Sequence, residues 1–163
     1  MSVAIVYGST KGNTAGVAEL IKNSFGDVDL INIAKTTSDE LNKYDGLIVG
    51  TPTYYDGKLQ DDWEAFDKKA LELEGKKVAL FGVGNQRRHS TTFNNAIGIL
   101  YELFIEKGAK IIGDKNPTDR YTFETSKAVV DGKFVGFVID KEVEGDSLED
   151  SIIKWTNSIK ENF

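Results

Sequence analysis

Short apolar runs alternate along this chain with stretches in which apolar residues recur at helical spacing, and few folds satisfy that pattern. Val3 to Tyr7, Gly46 to Gly50, Val78 to Gly82 and Phe134 to Ile139 are continuous apolar runs bounded by glycine or polar residues, as in strands buried on both faces. A weaker run, Val28 to Ile33, reads as a further strand. Between them, Val17, Ile21 and Phe25 form one helical stripe, and Leu148, Ile152, Trp155 and Ile159 another. Such alternation with short right-handed crossovers predicts an α/β fold, a parallel sheet covered by helices on both faces. At 163 residues, with no linker or internal repeat, the whole chain, 1–163, fits one domain.

Composition then narrows the chemistry. With no cysteine and one histidine, disulfides, iron–sulfur ligation, thiol catalysis and a histidine zinc site are excluded, and no metal is expected. Any redox chemistry must be borrowed from a cofactor. A net charge of −6 and a pI near 4.9 disfavour nucleic acid and anionic membranes and favour a basic protein surface. Acidity also simply keeps a protein soluble, and charge alone does not separate the two. The apolar run at Val3 ends by Gly8, far short of the ~20 residues of a membrane span, so a cytoplasmic protein is expected.

In an open parallel sheet, ligands sit beyond the carboxyl ends of the strands, where strand order reverses. Three loops follow apolar runs, Gly8 to Thr14, Thr51 to Gln60 and Gly82 to Thr92, and each has an unusual composition. In the first, Ser9, Thr10, Asn13 and Thr14 carry hydroxyl or amide groups, Gly8 and Gly12 permit tight backbone, and a helix start adds free N–H groups. These are the elements of a phosphate cradle; a plain turn capped by Thr14 or Asn13 is the simpler account. The loop lacks the Gly-Lys-Ser/Thr of nucleoside triphosphatases, and no G-x-G-x-x-G follows a strand, so a monophosphate suits it best. The second loop sets Tyr54 and Tyr55 side by side, as for a planar ligand, although tyrosine pairs also pack as loop lids. In the third, Gly82 and Gly84 offer bare backbone to a ring edge, Asn85 and Gln86 offer amides, and His89 is a second stacking candidate.

These residues resemble the flavodoxins, specifically the long-chain branch. The resemblance runs through Ser9 to Thr14, Thr51-Pro52-Thr53-Tyr54, Gly57 to Trp63, Gly82 to His89, Ala96 to Leu100 and Gly132 to Gly136, and so spans essentially the whole chain. It implies a five-stranded parallel sheet of order 2-1-3-4-5, one bound flavin mononucleotide (FMN), and an insertion at about 114–133 that interrupts the last strand. Ser9, Thr10, Lys11, Gly12, Asn13 and Thr14 would hold the phosphate. Thr51, Pro52, Thr53, Tyr54, Tyr55, Asp56 and Gly57 on one side, with Gly82, Gly84, Asn85, Gln86 and His89 on the other, would hold the ring; by position the Tyr55 carbonyl would face N5.

The implied function is a low-potential one-electron carrier rather than an enzyme, a monomer that meets redox proteins through their basic surfaces. Three departures from the family pattern stand out: Lys11 replaces a threonine, Asn85 an aspartate, and His89 the outer stacking tyrosine, with Arg87 and Arg88 just before it. The acidic cluster Asp61, Asp62, Glu64 and Asp67 suits either docking or a helix N-terminus. An FMN-dependent NAD(P)H quinone or azo reductase on the same fold is the alternative, though no nicotinamide signature is visible. A phospho-receiver domain is set aside, because Tyr7-Gly8 and Gly50-Thr51 stand where it needs acidic residues.

Overall fold

A computed structural model describes residues 2–53 and 57–163. Its elements run β1 Val3–Tyr7, α1 Asn13–Phe25, β2 Asp29–Asn32, α2 Ser38–Leu41, β3 Gly46–Pro52, α3 Asp61–Ala65, β4 Lys77–Val83, α4 Asn95–Glu106, β5 Lys110–Ile112, β6 Val129–Val130, β7 Lys133–Phe134, β8 Phe137–Ile139, α5 Lys141–Glu144 and α6 Leu148–Lys160. The main sheet has the order β2-β1-β3-β4-β5 and is parallel throughout, with β8 also paired to β4. This is the flavodoxin-like topology expected above.

Pleating sends alternate residues of each strand to opposite faces, and two cores result. Val3, Ile5, Ile48, Ala79 and Phe81 pack against Val17, Ile21 and Phe25 of α1 and Ile152, Trp155 and Ile159 of α6. Ala4, Val6, Leu47, Val49, Val78 and Leu80 pack against Trp63 of α3 and Ala96, Ile97, Leu100 and Phe104 of α4. Both helical stripes read from the sequence therefore face the sheet. Among the described residues, no helix is long and apolar enough to cross a membrane.

The fifth strand position is filled in two pieces. Lys77, Val78 and Ala79 of β4 pair with β5, and Phe81, Gly82 and Val83 pair with β8, while residues 113–136 run outside the sheet between them. The expectation of one strand from Phe134 to Ile139 is corrected here. Phe134 belongs to the β6–β7 hairpin, where it pairs with Val129 and exchanges backbone hydrogen bonds with Asn116. Its ring is fully buried among Phe93, Tyr121 and Phe123, at centroid distances of 5.6–6.1 Å. The apolar run is continuous because both halves are buried, but they are buried in different sheets.

Gly136 marks the crossing, because a Cβ there would overlap the Leu80 carbonyl oxygen and its carbon. Backbone cannot yield as a flexible side chain can. Gly136→Ala should therefore destabilise the protein by about 1–3 kcal/mol, read as a lower urea midpoint at unchanged slope. An unchanged midpoint would contradict the close contact.

Candidate functional site

Because every strand of the main sheet points the same way, the ends of β1, β3, β4 and β8 share one edge, and a cavity of about 780 Å³ opens there. The first loop contributes Ser9, Thr10, Lys11, Asn13 and Thr14; the end of β3 contributes Pro52 and Thr53. Val83, Gly84, Asn85, Arg88 and His89 follow β4, and Asp140, Lys141 and Glu142 follow β8.

The first wall joins hydroxyl and amide side chains to an open helix start. Gly12 caps α1 at φ 87°, a left-handed conformation that glycine adopts without strain, and no side chain caps the helix. The first N–H groups of a helix have no partner within it, so they are left facing the loop with the positive end of the helix dipole. The expectation of a Thr14 or Asn13 cap fails for this reason: both lie inside the helix. Thr14 is 1% exposed, and its hydroxyl has no hydrogen-bond partner. Buried polar groups are nearly always paired, and this one lines the cavity, where a ligand atom can reach it. Ser9 Oγ accepts from the Gly12 N–H at 3.0 Å and holds the turn.

The chain matches a sequence model described as Flavodoxin over residues 5–155. It is 38% identical to the flavodoxin of Nostoc sp. over 165 residues, covering 99% of this chain and 96% of that one. To the flavodoxin of Helicobacter pylori it is 37% identical, covering 99% and 98%. The structure of a Fusobacterium nucleatum flavodoxin bound to flavin mononucleotide superposes with a TM-score of 0.92 at 29% identity, covering 99% of this chain and 98% of that one. The chain belongs to the flavodoxin family.

Against the flavodoxin pattern, the Asn85 departure is conservative in effect. Its Oδ1 accepts from the Arg87 and Arg88 N–H groups at 3.1 and 2.9 Å, a bond an aspartate would make equally well. The turn it shapes places Arg88 and His89 on the cavity. Arg87 instead pairs with Glu142 at 3.3 Å. Lys11 also lines the cavity and brings a positive charge in place of a hydroxyl.

Several expected residues, Thr53 and Gly84 of the cavity wall among them, also serve the scaffold. Thr51 is fully buried and donates to the Pro52 carbonyl at 2.8 Å. Thr53 Oγ1 accepts from the Ala96 N–H at 3.0 Å, so a residue of the second loop caps α4. Gly57 is buried against Thr92 and Asn95. Gly82 and Gly84 make room for the Asn94 carboxamide, which lies across both. Asn94 is 1% exposed at φ 53°, and its amide has no partner, a strained residue beneath the site. Tyr54, Tyr55 and Asp56 fall outside the described residues.

A fourth wall was missed in the sequence. Asp140 accepts from the Gln86 N–H at 2.9 Å and caps α5 by accepting from the Glu142 N–H at 2.9 Å, while Lys141 Nζ donates to Asn13 Oδ1 at 3.1 Å. The signal was present: Asp140 directly follows the last apolar run, where the strand-end rule places a site loop.

The segment 113–136 buttresses two of these walls. The Thr122 N–H donates to Gln86 Oε1 at 2.6 Å, and the Lys127 N–H to Asn95 Oδ1 at 2.7 Å. At its other contact, the buried Glu144 carboxylate holds Arg120 at 2.8 Å and meets the Tyr121 hydroxyl, which also lies 3.0 Å from the Val138 carbonyl. Burial, and then the hydrogen bond to Glu144, push the Tyr121 phenol well above the ordinary tyrosine range. A phenol whose native pKa is raised contributes stability below the unfolded value of about 10 and loses it as pH rises beyond that. Tyr121→Phe should thus flatten the loss of stability between about pH 9 and 11, measured by urea unfolding; parallel pH profiles would contradict this.

Proposed function

We propose that this flavodoxin is a low-potential one-electron carrier that binds one FMN non-covalently in the strand-end cavity and passes electrons between redox proteins as a monomer. The observation that carries the reading is the buried, unpartnered Thr14 hydroxyl beside an uncapped helix start. A phosphate supplies the missing acceptors for both, and the Lys11 ammonium and Lys141 nearby oppose its charge. The cavity volume is in the range of small-molecule sites. The bound flavin itself supplies the redox chemistry.

In this reading Ser9 to Thr14 bind the phosphate. His89, which lines the cavity, offers an imidazole to the ring. Arg88 adds a positive charge to a cavity rim that Lys11 and Lys141 share, whereas Arg87 is paired with Glu142. Adding electrons makes the ring more negative, which a nearby cation favours. Arg88→Ala should therefore lower the potential of the second electron by roughly 20–60 mV and Arg87→Ala by less, measured by spectroelectrochemistry. Equal shifts, or none, would remove Arg88 from the tuning.

Partner choice follows from charge. The cluster Asp61, Asp62 and Glu64 occupies the first turn of α3, where acids also stabilise the helix, next to the second site loop. With the net charge of −6, this favours docking to a basic surface and complexes that weaken with salt. The purified protein should take up one FMN per chain, be reduced in two resolved one-electron steps, and oxidise NAD(P)H only when a reductase is added. Steady NAD(P)H oxidation without a reductase would overturn the carrier reading.

A further inference from the structure

Lys141 is the first residue of α5, directly after the last strand, and it lines the cavity. Its ammonium donates to Asn13 Oδ1 at 3.1 Å, which brings a positive charge from the fourth wall to the start of α1. That is a poor place for a cation. The first turn of α1 contains no acid and its start has no side-chain cap, so the helix presents its positive end there. A neutral carboxamide oxygen does not cancel the charge. Among the described residues no carboxylate does so either: Glu142 pairs with Arg87, and Asp140 spends its oxygens on the Gln86 and Glu142 N–H groups. An ammonium has three N–H donors, and Asn13 takes one of them. The next residue along α1 is Thr14, buried and with its hydroxyl unpaired. An uncompensated cation, an open helix start and an unpaired hydroxyl thus meet in one part of the cavity, and a group with several anionic oxygens satisfies all three.

We infer that Lys141 is a phosphate-binding residue, its ammonium held at the start of α1 by Asn13 and forming an ion pair with the FMN phosphate from the fourth wall. The phosphate is then gripped by two segments, the first loop and the residue after the last strand. This inference rests on the FMN reading above and adds a direct bond where that reading asks for a nearby charge. The two differ in size. A unit charge about 8 Å away through solvent changes affinity about two- to threefold, whereas a hydrogen-bonded ion pair is worth about tenfold or more.

Riboflavin, which has the ring but no phosphate, isolates that bond. Apoprotein of the native chain, Lys141→Met and Lys141→Arg would each be titrated with FMN and with riboflavin, following flavin fluorescence. Lys141 is exposed, so neither change removes core packing. Lys141→Met should weaken FMN about tenfold at low salt and leave riboflavin within about twofold. Near 1 M salt, where the screening length is about 3 Å, the FMN loss should shrink to less than about fourfold. Lys141→Arg, which keeps the charge and the donors, should stay within about threefold of native for both flavins. Inorganic phosphate supplies a readout without the ring: it should raise the melting temperature of native apoprotein clearly more than that of Lys141→Met. Equal losses for the two flavins, an FMN loss of about threefold or less, a loss that salt leaves unchanged, or equal stabilisation by phosphate would overturn the inference. Native protein with no preference for FMN over riboflavin would instead overturn the FMN reading itself.

Discussion

Parallel pairing of the central strands decides where every loop of this molecule can go. β1, β3, β4 and the last strand position run side by side, so their carboxyl ends meet along one edge. The loops that leave this edge come from distant parts of the sequence, and the sheet alone brings them together. Both faces of the sheet are covered, which leaves the edge as the place where backbone N–H groups and polar side chains remain open to a ligand.

Proximity does not make a site rigid; the loops are also tied to one another. Thr53 caps α4, Gln60 reaches Thr10, Asp140 receives the Gln86 N–H, and Lys141 reaches Asn13. Each bond joins two different strand ends. Residues 113–136 add ties from outside through Thr122 and Tyr121. A binding cavity supported in this way loses less conformational freedom when a ligand arrives. The strain at Asn94 and the lone Thr14 hydroxyl stand at the same edge, as expected where binding, not folding stability, dictates the residue.

Much of this architecture was legible in the residues. Apolar runs such as Val3 to Tyr7 announce buried strands, and the hydroxyl-rich loop after the first does line the cavity at the strand ends. The misreadings have physical causes. Lys110–Ile112 went unseen because one exposed lysine and two half-buried isoleucines make too short a run to register as a strand. Phe134 to Ile139 looked like one strand because hydropathy reports burial and is blind to which neighbour provides it. The Asn94 carboxamide for which Gly82 and Gly84 make room went unread as well, because no local pattern encodes that contact. Gln60 stood inside a recognised stretch, yet its tie to Thr10 spans fifty positions and exists only after folding.

In the proposed function, the start of α1 meets the FMN phosphate through main-chain amides and the Thr14 hydroxyl. Isotope-labelled apoprotein titrated with FMN, each backbone amide followed by NMR, should show its largest shifts at Gly12 to Ala15 and smaller ones around His89 and Lys141. Shifts confined to another surface, such as the groove lined by Ile33, Thr37, Phe66 and Ala70, would refute a phosphate at α1.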